Sequence, residues 1–410
     1  MTWEIALFLS CEAGILHPTH GNRLLTQLFG TVPSRKTTGN FSFSLWRILL
    51  QLFRVSTMER ASKNAVVLLG LMLGLGCRPG KAPTVPPRSK VALPEIVTGA
   101  NLRAVGDERR GYGTPKARET LARLKSLNVN TVAILMEGYL ENIDSVEIEI
   151  PNRAHLARIE AALVDANRMG FSTILIPHLY LKDGAWRGHI TMPEPQDRDR
   201  WWASYTRFIE EAARMSERSG TTLLSLGVEL KGMSAELDTR TRFRVLRQKV
   251  KKVYQGLLTY SANWDEAESV QFWDLVDIVG VNGYYPLVPD IERGSEAVAQ
   301  RLHELHQSTK KQVLVLEVGY RSGPMSHLKP WDWPEDVENK EVDEAAQAKN
   351  WAAILTNWLT TNGIRGLLVW VIPTDPDDPA SEPPHGFNPL NKAAEQVLKR
   401  AFSAYASDEG

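Results

Sequence analysis

The chain has 410 residues, enough for two or three average domains or for one large α/β barrel. Its 48 lysines and arginines balance 48 aspartates and glutamates, so the charge gives no reason to expect a nucleic-acid partner. Hydrophobic residues make up 43% of the chain, which is ordinary for a globular protein with a sizeable core.

The N-terminal region does not resemble a globular domain. Residues 1–57 show no coherent period, and Met58 offers a second plausible start. From there a basic segment and the apolar stretch 64–76, too short to span a bilayer, lead to Cys77, as in a bacterial lipoprotein signal. We expect residues 1–57 to be an upstream over-extension of the reading frame and 58–77 to be the signal peptide. Cys77 would then be lipidated and would attach the mature protein to the bacterial cell envelope.

A plain secretory signal and a short membrane anchor stay open as alternatives. Gly74 stands three residues before Cys77, where lipoprotein signals customarily have leucine. The only other cysteine is Cys11, so the chain after Cys77 can form neither a disulfide framework nor a thiolate metal site. The proline-rich segment 78–94 is predicted to be a stiff linker that holds the next domain off a membrane.

From about Ala92 short apolar runs alternate with longer amphipathic segments, which indicates βα units and a parallel sheet. Strands are predicted at 96–102, 129–135, 172–177, 222–228, 256–262, 278–282, 312–316 and 366–371. Helices are predicted at 114–127, 154–169, 195–218, 240–254, 295–306, 344–361 and 391–406. The pattern predicts a (β/α)8 TIM barrel over residues 95–406. A doubly wound open sheet would need a phosphate-binding glycine loop after its first strand, and Gly106, Gly111 and Gly113 do not form one.

Two predicted loops are longer than usual connections, 179–196 after the third strand and 321–342 after the seventh. The second loop contains Trp331 and Trp333. Both would emerge at the carboxyl-terminal face of the barrel, where barrel enzymes hold their active sites. We expect the two loops to shape a cleft.

Two glutamates stand at the ends of short aliphatic runs, Glu229 after 223–228 and Glu317 after 313–316. Such runs indicate strands that are buried on both faces, and carboxylates at their ends would face each other across the barrel mouth. Two such carboxylates are the minimum apparatus for cleaving a glycosidic bond, about 5–5.5 Å apart in a retaining enzyme. The acid/base must stay protonated near neutral pH, which burial and a second carboxylate favour. A salt-bridged strand end is the alternative for either glutamate.

The segments 225–229, 279–286 and 316–320 resemble glycoside hydrolase family 113, and the resemblance covers most of residues 95–405. It implies a retaining barrel that acts on β-1,4-mannan, with Glu229 as acid/base and Glu317 as nucleophile.

One position departs from the wider clan of related barrels. Most of the clan has an asparagine directly before the acid/base, where it binds the sugar 2-hydroxyl, but this chain has Val228. Family 113 also lacks the asparagine, so the departure supports the narrower assignment. It leaves open which residue contacts the 2-hydroxyl.

Several residues near strand ends are predicted to contact the sugar, whose C–H faces stack on aromatic rings and whose hydroxyls need polar partners. Trp370 is the strongest candidate, because the clan uses a tryptophan at this place as the floor of the cleavage subsite. One of the two tyrosines after the sixth strand would hydrogen-bond the nucleophile, and core packing is the alternative for Trp264 and Tyr284. The remaining predicted contacts are His178, placed one residue beyond the third strand, with Trp186, Asn263, Trp264, Asn282, Tyr284 and Tyr285.

No cofactor is expected, and a metal site is not supported because no His/Asp/Glu cluster has ligand spacing. For Asp375, Asp377 and Asp378 we favour a solvated turn over calcium binding. The leading hypothesis is a monomeric, lipid-anchored or secreted retaining glycoside hydrolase that acts on a β-linked polysaccharide or oligosaccharide, with β-mannan first. The alternatives are a non-catalytic glycan-binding lipoprotein and a transglycosylase that uses a sugar acceptor in place of water.

Overall fold

The computed structural model describes residues 90–106 and 108–406. Eight parallel strands close into a barrel in sequence order, with the eighth paired to the first. They are β1 Val97–Arg103, β2 Thr131–Leu140, β3 Ser172–Leu181, β4 Leu223–Val228, β5 Leu257–Asn263, β6 Val279–Asn282, β7 Val313–Val318 and β8 Ile364–Pro373. The predicted (β/α)8 TIM barrel is therefore confirmed, and the open sheet is excluded.

Eight α-helices surround the barrel in this part of the chain. They are α1 Pro115–Ser126, α2 Arg153–Arg168, α3 Pro195–Ser219, the single-turn α4 Lys231–Ser234, α5 Thr239–Val250, α6 Ile291–Thr309, α7 Glu344–Trp358 and α8 Ala393–Ser403. The connection between β5 and β6 is described throughout and holds only a 3₁₀ turn, Trp273–Leu275. Helix α6 begins four residues before its predicted start, because the Asp290 side chain caps it by accepting a hydrogen bond from the Arg293 backbone N–H.

Strand β3 is longer than predicted, which corrects the position of His178. The sequence suggested a strand end at Pro177, but β3 continues to Leu181 and pairs with β2 along its whole length. Proline is tolerated there because β3 pairs with β4 only at Ile174 and Leu175, so the later edge toward β4 needs no N–H donor. His178 therefore lies within the strand and not beyond it.

The barrel interior is filled by side chains two residues apart along β2, β3, β7 and β8, such as Leu314 and Leu316 on β7. The same buried cluster includes Tyr284 and Trp370. A second, larger cluster packs the outward faces of the strands against the helices. The interior packing thus runs directly into residues that the sequence assigned to the sugar site.

The predictions for residues 1–57, for the signal 58–77 with Cys77 and for most of the linker 78–94 lie outside the described residues. Within the described ranges, every helix is too short or too polar to cross a bilayer.

Candidate active site

Glu229 directly follows β4, and its side chain is buried, with the residue only 6% exposed. Its backbone φ of 50° is left-handed, which is uncommon for a residue other than glycine. The Glu229 N–H donates to the Ser261 carbonyl at 2.8 Å and fixes this turn against β5. Gly227 gives the turn room, because a Cβ there would lie 2.6 Å from the Tyr205 hydroxyl.

Glu317 lies within β7 and is 3% exposed. The Tyr284 hydroxyl donates to its Oε2 at 3.1 Å, and His178 Nε2 lies 3.9 Å from its Oε1. This Oε1 atom is buried and accepts no hydrogen bond from the described part of the chain. Tyr284, rather than Tyr285, is thus the tyrosine that contacts the carboxylate predicted to be the nucleophile.

Burial raises the pKa of Glu317 to about 8, and the negative charge of Glu229 acts in the same direction. The Arg187 guanidinium, the hydrogen bond from the Tyr284 hydroxyl and the nearby Asn282 amide lower this pKa and offset part of the effect. Burial and the second carboxylate thus both make Glu317 harder to ionise in the free protein. In other acid–base sites two neighbouring buried carboxylates likewise share one negative charge, because two like charges close together disfavour each other.

Asn282 connects the two carboxylates. At the end of β6 it lies in register with Asn263 on β5 and with Glu317 on β7. Its Nδ2 donates to Glu229 Oε1 at 3.0 Å, and its side-chain amide also lowers the pKa of Glu317. Asn282 is fully buried, so this bridge is shielded from water.

The loop after β3 places two N–H donors on the other oxygen of Glu229. Trp186 Nε1 donates to Oε2 at 3.1 Å, and Arg187 Nη1 lies 2.5 Å from the same atom. A Cβ on Gly188 would lie 2.3 Å from the Trp186 ring, so the glycine allows the loop to fold back. The sequence predicted Trp186 but missed Arg187. The only available signal was a cation directly after a residue already assigned to the cleft.

Trp370 and His178 line the site beside Glu317. Their rings stack with centroids 6.4 Å apart and planes 18° apart. Burial lowers the pKa of His178 well below its usual value, and the positive charge of Arg187 contributes in the same direction. The histidine is therefore neutral at physiological pH and offers the site an uncharged polar group.

Three predicted contacts, Asn263, Trp264 and Tyr285, form no hydrogen bond to either glutamate. The Asn263 side chain donates to Asp265 Oδ1 at 2.7 Å within a local turn. The Tyr285 ring is buried and meets the Trp264 ring at 5.6 Å. Trp264 in turn stacks on Trp331, with centroids 5.5 Å apart and planes 13° apart.

The loop after β7 extends this aromatic surface toward solvent. Trp331 is 41% exposed although it stacks on Trp264, and Trp333 is 39% exposed. The Trp333 ring meets the Trp370 ring edge to face at 6.2 Å. The loop after β3 therefore reaches Glu229, and the loop after β7 reaches Trp370. That the two loops shape a cleft stays a prediction.

The acidic segment after β8 is held by ion pairs. Asp375 pairs with Lys116, Asp377 with Arg123, and Asp378 with Arg110. Among residues 90–106 and 108–406, no three His, Cys, Asp or Glu side chains are grouped so that they could hold a metal ion.

A closed parallel barrel with two neighbouring buried carboxylates at the carboxyl-terminal ends of β4 and β7 has the architecture of a glycoside hydrolase. The model of Glycoside Hydrolase Family 113 matches residues 104–383. The chain therefore belongs to glycoside hydrolase family 113.

Solved structures support this assignment. A GH113 β-mannanase from Alicyclobacillus acidocaldarius, solved with ManMIm, is 26% identical with a TM-score of 0.67; the match covers 76% of this chain and 98% of that one. A GH113 β-1,4-mannanase complex has 22% identity and the same TM-score, covering 75% and 99% of the two chains. A family 5 mannosidase from Rhizomucor miehei shares the fold at 13% identity and a TM-score of 0.52, covering 75% and 92%. No curated protein matches the chain.

Proposed function

We propose that this family 113 enzyme cleaves β-1,4-mannan or its oligosaccharides by a double displacement that retains anomeric configuration. The observation that carries the proposal is the pair of buried glutamates in a family 113 barrel, Glu229 directly after β4 and Glu317 within β7. The Asn282 amide donates to Glu229 Oε1, and Asn282 lies in register with Glu317, so the two carboxylates meet at one face of the barrel. Retaining enzymes use such a pair roughly 5–5.5 Å apart, one as acid/base and the other as nucleophile.

In the first step the Glu317 carboxylate attacks the anomeric carbon, while Glu229 gives its proton to the departing glycosidic oxygen. In the second step Glu229 takes a proton from water, whose oxygen bonds to the anomeric carbon as the bond from that carbon to Glu317 breaks and the Glu317 carboxylate leaves. The Tyr284 hydroxyl stabilises the Glu317 carboxylate before attack, because a donor lowers the free energy of the charged form.

The choice of β-mannan as substrate rests on two supports. The similar structures of the same family are described as β-mannanases, and one of them holds ManMIm. In this chain, Trp370 stacks on His178, which lies 3.9 Å from Glu317, and the exposed Trp333 ring meets Trp370. Successive rings of this kind suit a chain of sugar rings more than a single sugar. We therefore favour cleavage within a polysaccharide.

We also propose that the enzyme is attached to the cell envelope through a lipid on Cys77. The support is the sequence alone, a basic segment and a short apolar stretch that end at this cysteine.

The test is product release by protein that lacks residues 1–77, from β-mannan, glucomannan, xylan and β-glucan, with Glu317→Gln as the blank. We expect manno-oligosaccharides only from the unmutated enzyme, with the β-anomer formed first. Release from xylan or β-glucan alone would refute the substrate. Tight binding of an oligosaccharide without turnover would favour a glycan-binding protein, and longer products than substrates would favour a transglycosylase.

A further inference from the structure

A series of buried hydrogen bonds lies behind the turn that carries Glu229. The N–H of Leu230, the next residue, donates to the Tyr260 hydroxyl at 2.9 Å. That hydroxyl donates to Glu266 Oε1 at 2.7 Å, and Glu266 Oε2 accepts from the Asn263 N–H at 3.1 Å. The peptide that follows the proposed acid/base is thereby connected, through two side chains, to the end of β5.

Both of these side chains are buried, with Tyr260 0% and Glu266 1% exposed. The Tyr260 ring packs against Phe243 and Phe272, at centroid distances of 5.5 and 5.1 Å. Burial and the charge of Glu266 raise the pKa of Tyr260 well above its ordinary value, so the hydroxyl keeps its proton and remains a donor. Burying a carboxyl group costs stability unless hydrogen bonds replace its contacts with water. An apolar residue would avoid that cost, so Glu266 indicates a role beyond packing.

The turn at Glu229 needs a support of this kind. Its left-handed φ of 50° is a conformation that a residue other than glycine keeps only where its surroundings hold it. The pairing of β4 with β5 is irregular between Ser225 and Val228, so a regular ladder does not hold the turn. Instead, β5 binds the N–H groups on both sides of the Glu229 Cα, the first through the Ser261 carbonyl at 2.8 Å and the second through Tyr260. With both peptide groups fixed, the direction of the Glu229 side chain is fixed as well.

A second link between the same two turns lies at the surface. Lys231 pairs with Asp265 at 2.6 Å, and Asp265 accepts from the Asn263 side chain at 2.7 Å. Both charged side chains of this ion pair are about one-third exposed or more, and such pairs contribute little stability. The buried pair of Tyr260 and Glu266 is therefore the stronger support of the turn.

We propose that Tyr260 and Glu266 are positioning residues for proton transfer by Glu229. They hold the Leu230 peptide, and thus the direction of the Glu229 side chain, so that its carboxyl group meets the glycosidic oxygen of the bound substrate. Neither residue hydrogen-bonds the Glu229 carboxyl group within the described structure, so both act through the backbone. This inference rests on the proposed role of Glu229 as acid/base.

The leaving group of the substrate separates this role from a merely structural one. A departing sugar is a strongly basic alkoxide, so it needs a proton from the acid as its bond breaks. A departing dinitrophenolate is stable as an anion and needs none. Displacement of Glu229 should therefore slow the first step on an oligosaccharide, but not the first step on a dinitrophenyl glycoside, which needs only the attack by Glu317.

The first test compares kcat/KM of the full chain and its Tyr260→Phe variant on mannotetraose and on dinitrophenyl β-mannobioside. The change removes one hydroxyl and keeps the ring, and thermal unfolding checks that the variant is folded. Misplacement of a reacting group by about 1 Å can cost on the order of 100-fold, so kcat/KM on mannotetraose should fall by about 10- to 100-fold. On the dinitrophenyl substrate kcat/KM should stay unchanged. Equal losses on the two substrates, or no loss on mannotetraose, would overturn the proposal.

Tyr254→Phe is the matched control for this test. Tyr254 is also fully buried, and its hydroxyl donates to the Thr221 carbonyl at 3.0 Å, a backbone contact that lies before β4 and not after it. Its loss should lower stability without changing kcat/KM on either substrate. A loss confined to mannotetraose in this variant as well would show that the selectivity does not report on the turn, and would count against the proposal.

The second test uses Glu266→Gln, alone and together with Tyr260→Phe. Glutamine keeps one oxygen in place of two, so it can accept from Tyr260 or from the Asn263 N–H but not serve both as the carboxylate does. Its kcat/KM on mannotetraose should fall less than in Tyr260→Phe, and the dinitrophenyl substrate should again be spared. The double variant should lose no more than Tyr260→Phe alone, because both residues act through one hydroxyl. Losses that multiply would overturn the connection between them, whereas an unmutated enzyme that cleaves neither substrate would count against the proposed function.

Discussion

Replacing Tyr284 by phenylalanine should slow the formation of the glycosyl–enzyme intermediate while the fold stays intact. The change removes one hydroxyl, which donates to Glu317 Oε2 at 3.1 Å. A hydrogen bond to a charged group contributes about 1.5–3 kcal/mol. At about 1.4 kcal/mol per factor of ten, kcat should fall by roughly 10- to 150-fold.

The same change should alter the pH dependence, because the Tyr284 hydrogen bond lowers the pKa of Glu317. Without it this pKa rises, Glu317 ionises at higher pH, and the acid limb of the kcat profile moves to higher pH. Tyr285→Phe is the matched control, since the neighbouring ring is also buried but makes no hydrogen bond to either glutamate within the described structure. Steady-state rates between pH 4 and 9, with thermal unfolding of each variant, give the comparison. Equal losses in the two variants would refute the assigned role of Tyr284.

Three further predictions follow from the site and the N-terminal sequence. Glu317→Gln should remove turnover by several orders of magnitude. It should also raise the melting temperature by an amount that grows from pH 5 to pH 8. Over that window the unfolded chain releases the Glu317 proton, whereas burial, which raises the pKa of Glu317 to about 8, keeps it on the folded protein at a cost in stability. A constant difference in calorimetric scans would contradict this. Trp331→Ala should lower kcat/KM about 2- to 12-fold on mannohexaose, from one aromatic stacking contact, but not on the shortest oligosaccharide cleaved. Equal loss on both substrates would place Trp331 outside the sugar path. Cys77→Ala should abolish incorporation of radiolabelled fatty acid and move the enzyme from the membrane to the soluble fraction, and unchanged fractionation would refute the anchor.

The barrel was predictable because strands buried on both faces leave aliphatic runs that no solvent-exposed position interrupts. Errors arose where a local signal conflicted with the sheet. Pro177 suggested a strand end, yet β3 continues because its edge toward β4 is unpaired beyond Leu175. The start of α6 was missed because the capping side chain of Asp290, not the apolar period, sets that boundary.

Glu229 and Glu317 could be placed from sequence because the carboxyl-terminal ends of parallel barrel strands meet at one face. Arg187 could not. Its position depends on a loop that folds back over Gly188 and on a hydrogen bond to the Leu179 carbonyl, and neither leaves a periodic signal. The residue that contacts the predicted acid/base most closely was therefore also the least visible in the sequence.

The choice between Tyr284 and Tyr285 shows how far a strand period can carry an assignment beyond the strand itself. Strand β6 ends at Asn282, and side chains of an extended chain alternate between two faces. Since Asn282 faces the carboxylates, the residue two positions later should face them as well, and Tyr285 should point away. The structure has this arrangement, with the Tyr284 hydroxyl on Glu317 and the Tyr285 ring against Trp264. Once one polar residue at the end of a strand is assigned to the site, the alternation therefore selects which of two adjacent aromatic residues joins it.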